Sequence, residues 1–135
     1  MPSKTLSRAT LRLTAVACLI ASEAPAHHSW SAQYDVGRST YISGTLARVM
    51  LRNPHSALVL NVTADNGRQE RWTVEWGSPQ RLLERGVTER MLRVGEQLFV
   101  TGNPHRDAKV KSLRALSVRR ANDGTELGAD RSDGR

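Results

Sequence analysis

Five strand-like segments parted by turns, one helical segment between the third and fourth, and a hairpin turn at Asp65-Asn66-Gly67 predict an all-β fold with one short helix. The order strand–strand–strand–helix–strand–strand is that of a five-stranded Greek-key barrel of the oligonucleotide/oligosaccharide-binding, OB-like, type. An up-and-down open sheet is the alternative arrangement of the same segments. A chain of 135 residues allows one small domain with a modest core. No internal repeat or linker divides it.

Each element has its own signal. Residues 27–38 show no clear period and are expected to lie extended against the domain, with Trp30 and Tyr34 as anchors. Residues 40–53 read as a strand, and Gly44 with the broken alternation after Leu46 marks a bulge or sharp bend. Pro54 ends it by removing a backbone donor.

The hairpin covers residues 56–76. A two-residue turn at Asn66-Gly67 would set Leu58, Leu60 and Val62 on one face with Arg71, Thr73 and Glu75. A three-residue loop with a left-handed Gly67 pairs Ala64 with Arg68 and sets the same three on one face with Trp72, Val74 and Trp76. Only the second register gathers the apolar residues, so it is the one expected. It places His55 across from Gly77 and Glu75 across from Ala57, making His55 and Glu75 diagonal neighbours on the outer face.

Ser78-Pro79 opens a short helix with Ser78 as N-cap, Leu82 and Leu83 as its buried side and Gly86 as its end. Thr88 caps a further short turn, and residues 93–96 turn into a strand over residues 97–101 that breaks at Gly102-Asn103-Pro104-His105. The last strand is expected over residues 110–120, before a turn at Asn122-Asp123-Gly124. Residues 128–135 are too polar and Gly-rich to pack.

The amino-terminal residues read as a secretory leader. Lys4, Arg8 and Arg12 precede an apolar run from Leu13 to Ala21, and Ala24-Pro25-Ala26 supplies the A-x-A cleavage pattern. The expected plan is therefore a signal peptide over 1–26, an arm over 27–39, the barrel over 40–127 and a disordered tail over 128–135. The mature chain would be periplasmic or secreted. It would lack a transmembrane span, because the apolar run is about half the ~18 residues that crossing needs. The only cysteine, Cys18, lies in the leader, so no disulfide, Cys-based zinc site or thiol chemistry is expected. Lipidation at Cys18 is a rival reading, but Ala15 stands where a lipoprotein box needs a large aliphatic residue.

The leader accounts for +2 of the formal +7 charge and leaves a moderately basic mature surface. Such a surface suits anionic partners, an envelope component or an acidic protein, while export argues against nucleic acid.

Cleavage after Ala26 would make His27 the first residue. Its α-amino group and imidazole would then form a chelate for a transition metal, with His28 beside them. Nitrogen-rich sites favour copper(II) among the divalent ions, with zinc the other candidate. His55 and Glu75 could complete the set, and Trp30 and Asn53 could wall it. The plain alternatives are a solvated terminus for His27 and His28, a turn hydrogen bond for His55 and an exposed ion pair for Glu75. His105, in a second Asn-Pro-His, is expected in a loop, and Trp72 and Trp76 in the core. Arg106, Lys109, Lys111, Arg114, Arg119 and Arg120 read as a solvated face. No nucleophile elbow, Gly-rich phosphate loop or close carboxylate pair points to catalysis.

Several of these residues carry a resemblance. His27-His28-Ser29-Trp30, Asn53-Pro54-His55, Trp72, Glu75 and Gly77-Ser78-Pro79 are its first half. Leu82-Leu83, Arg85-Gly86, Val94-Gly95-Glu96 and Asp123-Gly124 complete it. The ordered set resembles the exported bacterial proteins grouped as domain of unknown function 6152. Val87 and Trp30 depart from the aromatic and the phenylalanine usual there. The resemblance implies export and no mechanism.

The reading is an exported small binding protein that holds a metal ion or other small ligand, the metal being copper or zinc. The runner-up is a structural or interaction module docking an anionic partner by its basic face. An oxidative copper enzyme is a weaker third.

Overall fold

Alternation of apolar and polar residues builds the first half of the sheet. The structure, a computed structural model, describes residues 30–128. In β1 (Thr40–Met50), Ile42, Gly44 and Leu46 face inward, and the register slips at Ala47 between Leu46 and Arg48. That is the expected bulge. Gly44 is needed because a Cβ there would stand 2.7 Å from the Asn61 carbonyl oxygen, closer than any side chain tolerates.

β2 (Ala57–Thr63) and β3 (Gln69–Glu75) form the hairpin in the three-residue-loop register. Leu60 lies opposite Trp72, Leu58 opposite Val74 and Ala57 opposite Glu75. The Ala64 N–H donates to the Arg68 carbonyl at 2.9 Å, and Gly67 takes a φ of 78°.

α2 (Pro79–Glu84) follows, with the Ser78 hydroxyl accepting the Arg81 N–H at 3.4 Å and Gly86 ending it at a φ of 76°. Leu82 is 1% exposed, but Leu83 is 63% exposed and not part of the buried side. Consecutive helical residues point about 100° apart, so a helix of six residues offers the barrel only one of the two. Thr88 precedes a 3-10 turn (Glu89–Met91) without capping it through its side chain.

β4 (Gln97–Pro104) runs past the break expected after Thr101. A bulge between Thr101 and Gly102 lets Asn103 pair with Arg114 and Pro104 with Leu113. The arm receives the end of the strand, since the Asp35 N–H donates to the Pro104 carbonyl at 2.9 Å. Proline is tolerated at such a strand end, where its missing N–H breaks no ladder. β5 (Ser112–Arg120) starts two residues later than expected and pairs antiparallel with β4 and parallel with β3. The sheet therefore closes in the order β1-β2-β3-β5-β4 and the open-sheet alternative falls away.

Leu46, Leu58, Leu60, Val74, Leu98, Val100, Leu113 and Val118 fill the barrel with no exposure, and Leu127 plugs it from beyond β5. Trp76 joins this core, whereas Trp72 is half-buried at its margin. The arm is not wholly extended: Trp30–Gln33 makes one helical turn, α1, closed by the Tyr34 N–H to the Trp30 carbonyl at 2.7 Å. With no neighbouring strand along those residues, the backbone satisfies itself locally. Tyr34, 1% exposed, is the anchor.

Leu82→Ala is expected to lower the unfolding free energy by about 2–5 kcal/mol. Leu83→Ala should change it by less than about 0.5 kcal/mol. Urea midpoints of the two variants check the assignment of faces, which equal losses would contradict.

Candidate functional site

The hairpin register carries the outer face with it. Beyond the last strand pair the Ser56 N–H donates to the Gly77 carbonyl at 3.1 Å and the Trp76 N–H to the Ser56 carbonyl at 2.8 Å. His55 and Glu75 therefore meet outside the barrel, with His55 Nδ1 4.0 Å from Glu75 Oε2. Their side chains are 37% and 30% exposed, so both are open to a ligand. The cis Asn53-Pro54 peptide lies just ahead of His55. Asn53 lines an open cavity of about 510 Å3 with Arg52, Pro54, His55 and Glu75.

Trp30 packs against His55, its ring centroid 4.2 Å away and tilted by 31°. The Arg114 guanidinium lies 5.1 Å from the Trp30 ring centre, a cation–π distance. Arg114 sits beside Glu75 because β3 and β5 run parallel there. Trp30 also packs on Tyr34 at 5.8 Å, and Tyr34 meets the ring of His105 edge-on at 5.7 Å.

Tyr34 is the site's buried base. Its hydroxyl shares a 2.9 Å hydrogen bond with Ser112 Oγ. Burial pushes its phenol up to about 12; the Ser112 bond opposes that shift and the negative Glu75 carboxylate adds to it.

Of the residues the sequence proposes, His55, Glu75, Trp30 and Asn53 come together. His27 and His28 lie outside the described residues. Among the described residues no group of three or more His, Cys, Asp or Glu side chains is placed to hold a metal ion. His105 is not in a free loop: it bridges to Tyr34, and its Nδ1 accepts the Asp107 N–H at 3.1 Å.

The basic residues are less of a solvated face than their run suggests. Lys111 pairs with Glu70 at 3.2 Å, Arg119 with Glu126 at 3.4 Å and Arg120 with Glu96 at 3.1 Å. Arg106 Nε donates to the Ser31 carbonyl at 2.7 Å. Sequence reasoning missed Arg114 and Ser112 as neighbours of the site. Both reach it through the parallel β3–β5 pairing, which joins residues far apart in the chain and leaves no local signal.

No helix among the described residues is long and apolar enough to cross a membrane. The model of a family of unknown function, DUF6152, matches residues 15–114. No curated protein matches the chain. Among solved structures, the chain is similar to the mitochondrial single-stranded DNA binding protein Rim1 of S. cerevisiae, at 9% identity and a TM-score of 0.48. That match covers 62% of this chain and 93% of Rim1. It is also similar to a chain of the S. pombe Stn1-Ten1 complex, at 16% identity and a TM-score of 0.48, covering 64% of this chain and 60% of that one.

The stability that comes from burying a neutral Tyr34 phenol is present in full below its ordinary value of 10.0 and is lost as the pH rises toward about 12. The unfolding midpoint should therefore fall more steeply over that window in the parent than in Tyr34→Phe. Parallel slopes for the two would remove the burial argument.

Proposed function

The chain belongs to DUF6152, a family of unknown function, and we propose that this member is an exported binding protein for one copper or zinc ion. Cleavage after Ala26 would free the amine of His27, and that amine, its imidazole, His28, His55 and Glu75 would be the donors. The observation that carries this reading is the 4.2 Å stacking of Trp30 on His55. It sets the first described residue, Trp30, against the outer face that holds His55 and Glu75. His27 is three peptide steps from Trp30, a reach of at most about 11 Å.

The donor set fits the chemistry. Imidazole and carboxylate bind zinc at ~2.0–2.2 Å, which at a tetrahedral angle separates two ligands by about 3.4 Å. His55 Nδ1 and Glu75 Oε2 stand at 4.0 Å, so a small side-chain adjustment brings them to that spacing. Two donors alone do not make a tight site, and the amine and imidazole of His27 supply the rest. Bound, the ion would supply Lewis acidity and charge; the chain supplies the donors and, through Trp30, their order. The internal pairing of Lys111, Arg119 and Arg120 weighs against the basic-face alternative.

Calorimetric titration of the processed protein with copper(II) tests this. One site is expected, weakened at least about tenfold by an extra residue ahead of His27 and by His55→Ala. Glu75→Gln should weaken it less and His105→Ala not at all. Binding indifferent to both the His27 extension and His55→Ala would end the proposal.

A further inference from the structure

A cavity of about 190 Å3 lies where the arm and the start of β1 meet the end of β4. It shares no lining residue with the cavity beside His55 and Glu75. Long-range pairing assembles it. Thr40 opens β1 opposite Gly102, Tyr34 bridges to His105, and the Arg106 N–H donates to the Gln33 carbonyl at 2.9 Å. These contacts bring Arg38 and Thr40 into one lining with His105 and Arg106.

All four side chains can donate. Arg38 is exposed, and among the described residues no carboxylate pairs with it. Arg106 uses Nε on the Ser31 carbonyl at 2.7 Å and keeps its two terminal nitrogens. His105 Nδ1 stands 3.1 Å from the Asp107 amide nitrogen and 3.3 Å from the Asp107 carbonyl oxygen. The nearer contact makes Nδ1 the acceptor, so the ring proton sits on Nε2. No acidic side chain lines the cavity. Nearby in the chain, Asp35 already accepts the Gly37 N–H at 3.3 Å, Asp107 the Lys109 N–H at 2.9 Å, and Glu70 pairs with Lys111 at 3.2 Å. Two guanidiniums, an imidazole and a hydroxyl without a countercharge make a receptor for an anion. The volume, below the ~300–1,000 Å3 of small-molecule pockets, limits that anion to a small one.

We propose that this cavity binds a doubly charged tetrahedral oxyanion, a sulfate or phosphate group. Guanidinium forks bind such oxygens in pairs. Several oxygens pointing in different directions give Arg38, Arg106, His105 and Thr40 each an acceptor, where a carboxylate offers only two. A lining without a carboxylate favours the fully ionised group, because a protonated oxygen would have no charged acceptor. The inference does not rest on metal binding.

The test titrates the processed protein, freed of metal, with sulfate and with inorganic phosphate in a calorimeter. Low salt and about pH 8 keep the phosphate doubly charged. Each ion should fill one site, with acetate at least about tenfold weaker. Arg38→Gln should weaken both ions at least about tenfold. Arg38 is exposed, so the fold should survive, as the urea midpoint will verify. Thr40→Val should weaken them severalfold. Glycerol phosphate separates two sources of the group, and either result supports the site: affinity equal to that of phosphate marks one open to esters, and a loss of about tenfold marks one for the free ion. Arg38→Gln should leave the copper titration unchanged, and the residue added ahead of His27 should leave sulfate affinity unchanged, so the two readings fail separately. No saturable binding up to about 10 mM, acetate equal to sulfate, or an unaffected folded Arg38→Gln variant would each overturn the proposal.

Discussion

The pairing register of the β2–β3 hairpin is the constraint on which the rest depends. A strand's side chains alternate between faces, so a slip of one residue exchanges the whole set. In the observed register Leu58, Leu60 and Val74 enter the barrel and become fully buried. The same choice turns His55 and Glu75 outward and brings them to 4.0 Å. Core and candidate site are thus two faces of one pairing, and neither can shift alone. Gly67 holds the register by taking the left-handed conformation that closes the loop.

Closure of the barrel then decides what surrounds that pair. β5 joins β3 in parallel and β4 in antiparallel, which places Arg114 beside Glu75 and Ser112 under Tyr34. The arm seals this junction. Tyr34 gives up solvent entirely, and its buried phenol is held against ionisation while Trp30 spreads over His55. Arg114 in turn stacks on Trp30 and donates to Asn103 Oδ1 at 3.4 Å. The imidazole of His55 and the guanidinium of Arg114 thus both pack on the Trp30 indole. Two cavities adjoin His55, one with Arg52 and Glu75 in its wall and one with Arg81 and Arg114. His55 and Pro54 line both cavities, so the residues that follow the cis peptide are what the two have in common.

The departures from the expected plan share a cause. Leu83 carries the same hydrophobicity as Leu82, and only the angle between them on a short helix, set against the barrel wall, exposes one. The Gly102-Asn103-Pro104 run has every mark of a break, yet a bulge and the waiting Asp35 N–H keep it in the sheet. The arm shows no period because it is a single turn followed by an anchor, too short for one to emerge. In each case a partner distant in sequence outweighed the local preference.

Local chemistry alone settles much of this protein. Alternation, the Asp65-Asn66-Gly67 turn, the Ser78-Pro79 cap and the order of elements specify a five-stranded barrel with one inserted helix, because each is a short-range interaction readable over a few residues. The nearness of His55 to Glu75 belongs there too, since a hairpin register is a local quantity. What only the tertiary structure decided is the company those residues keep: Trp30 on His55, Arg114 on Trp30, Ser112 on Tyr34 and the unpaired indole of Trp76. These contacts arise when a parallel strand pair and a docked arm meet, and long-range pairing leaves no periodic trace in the chain that forms it.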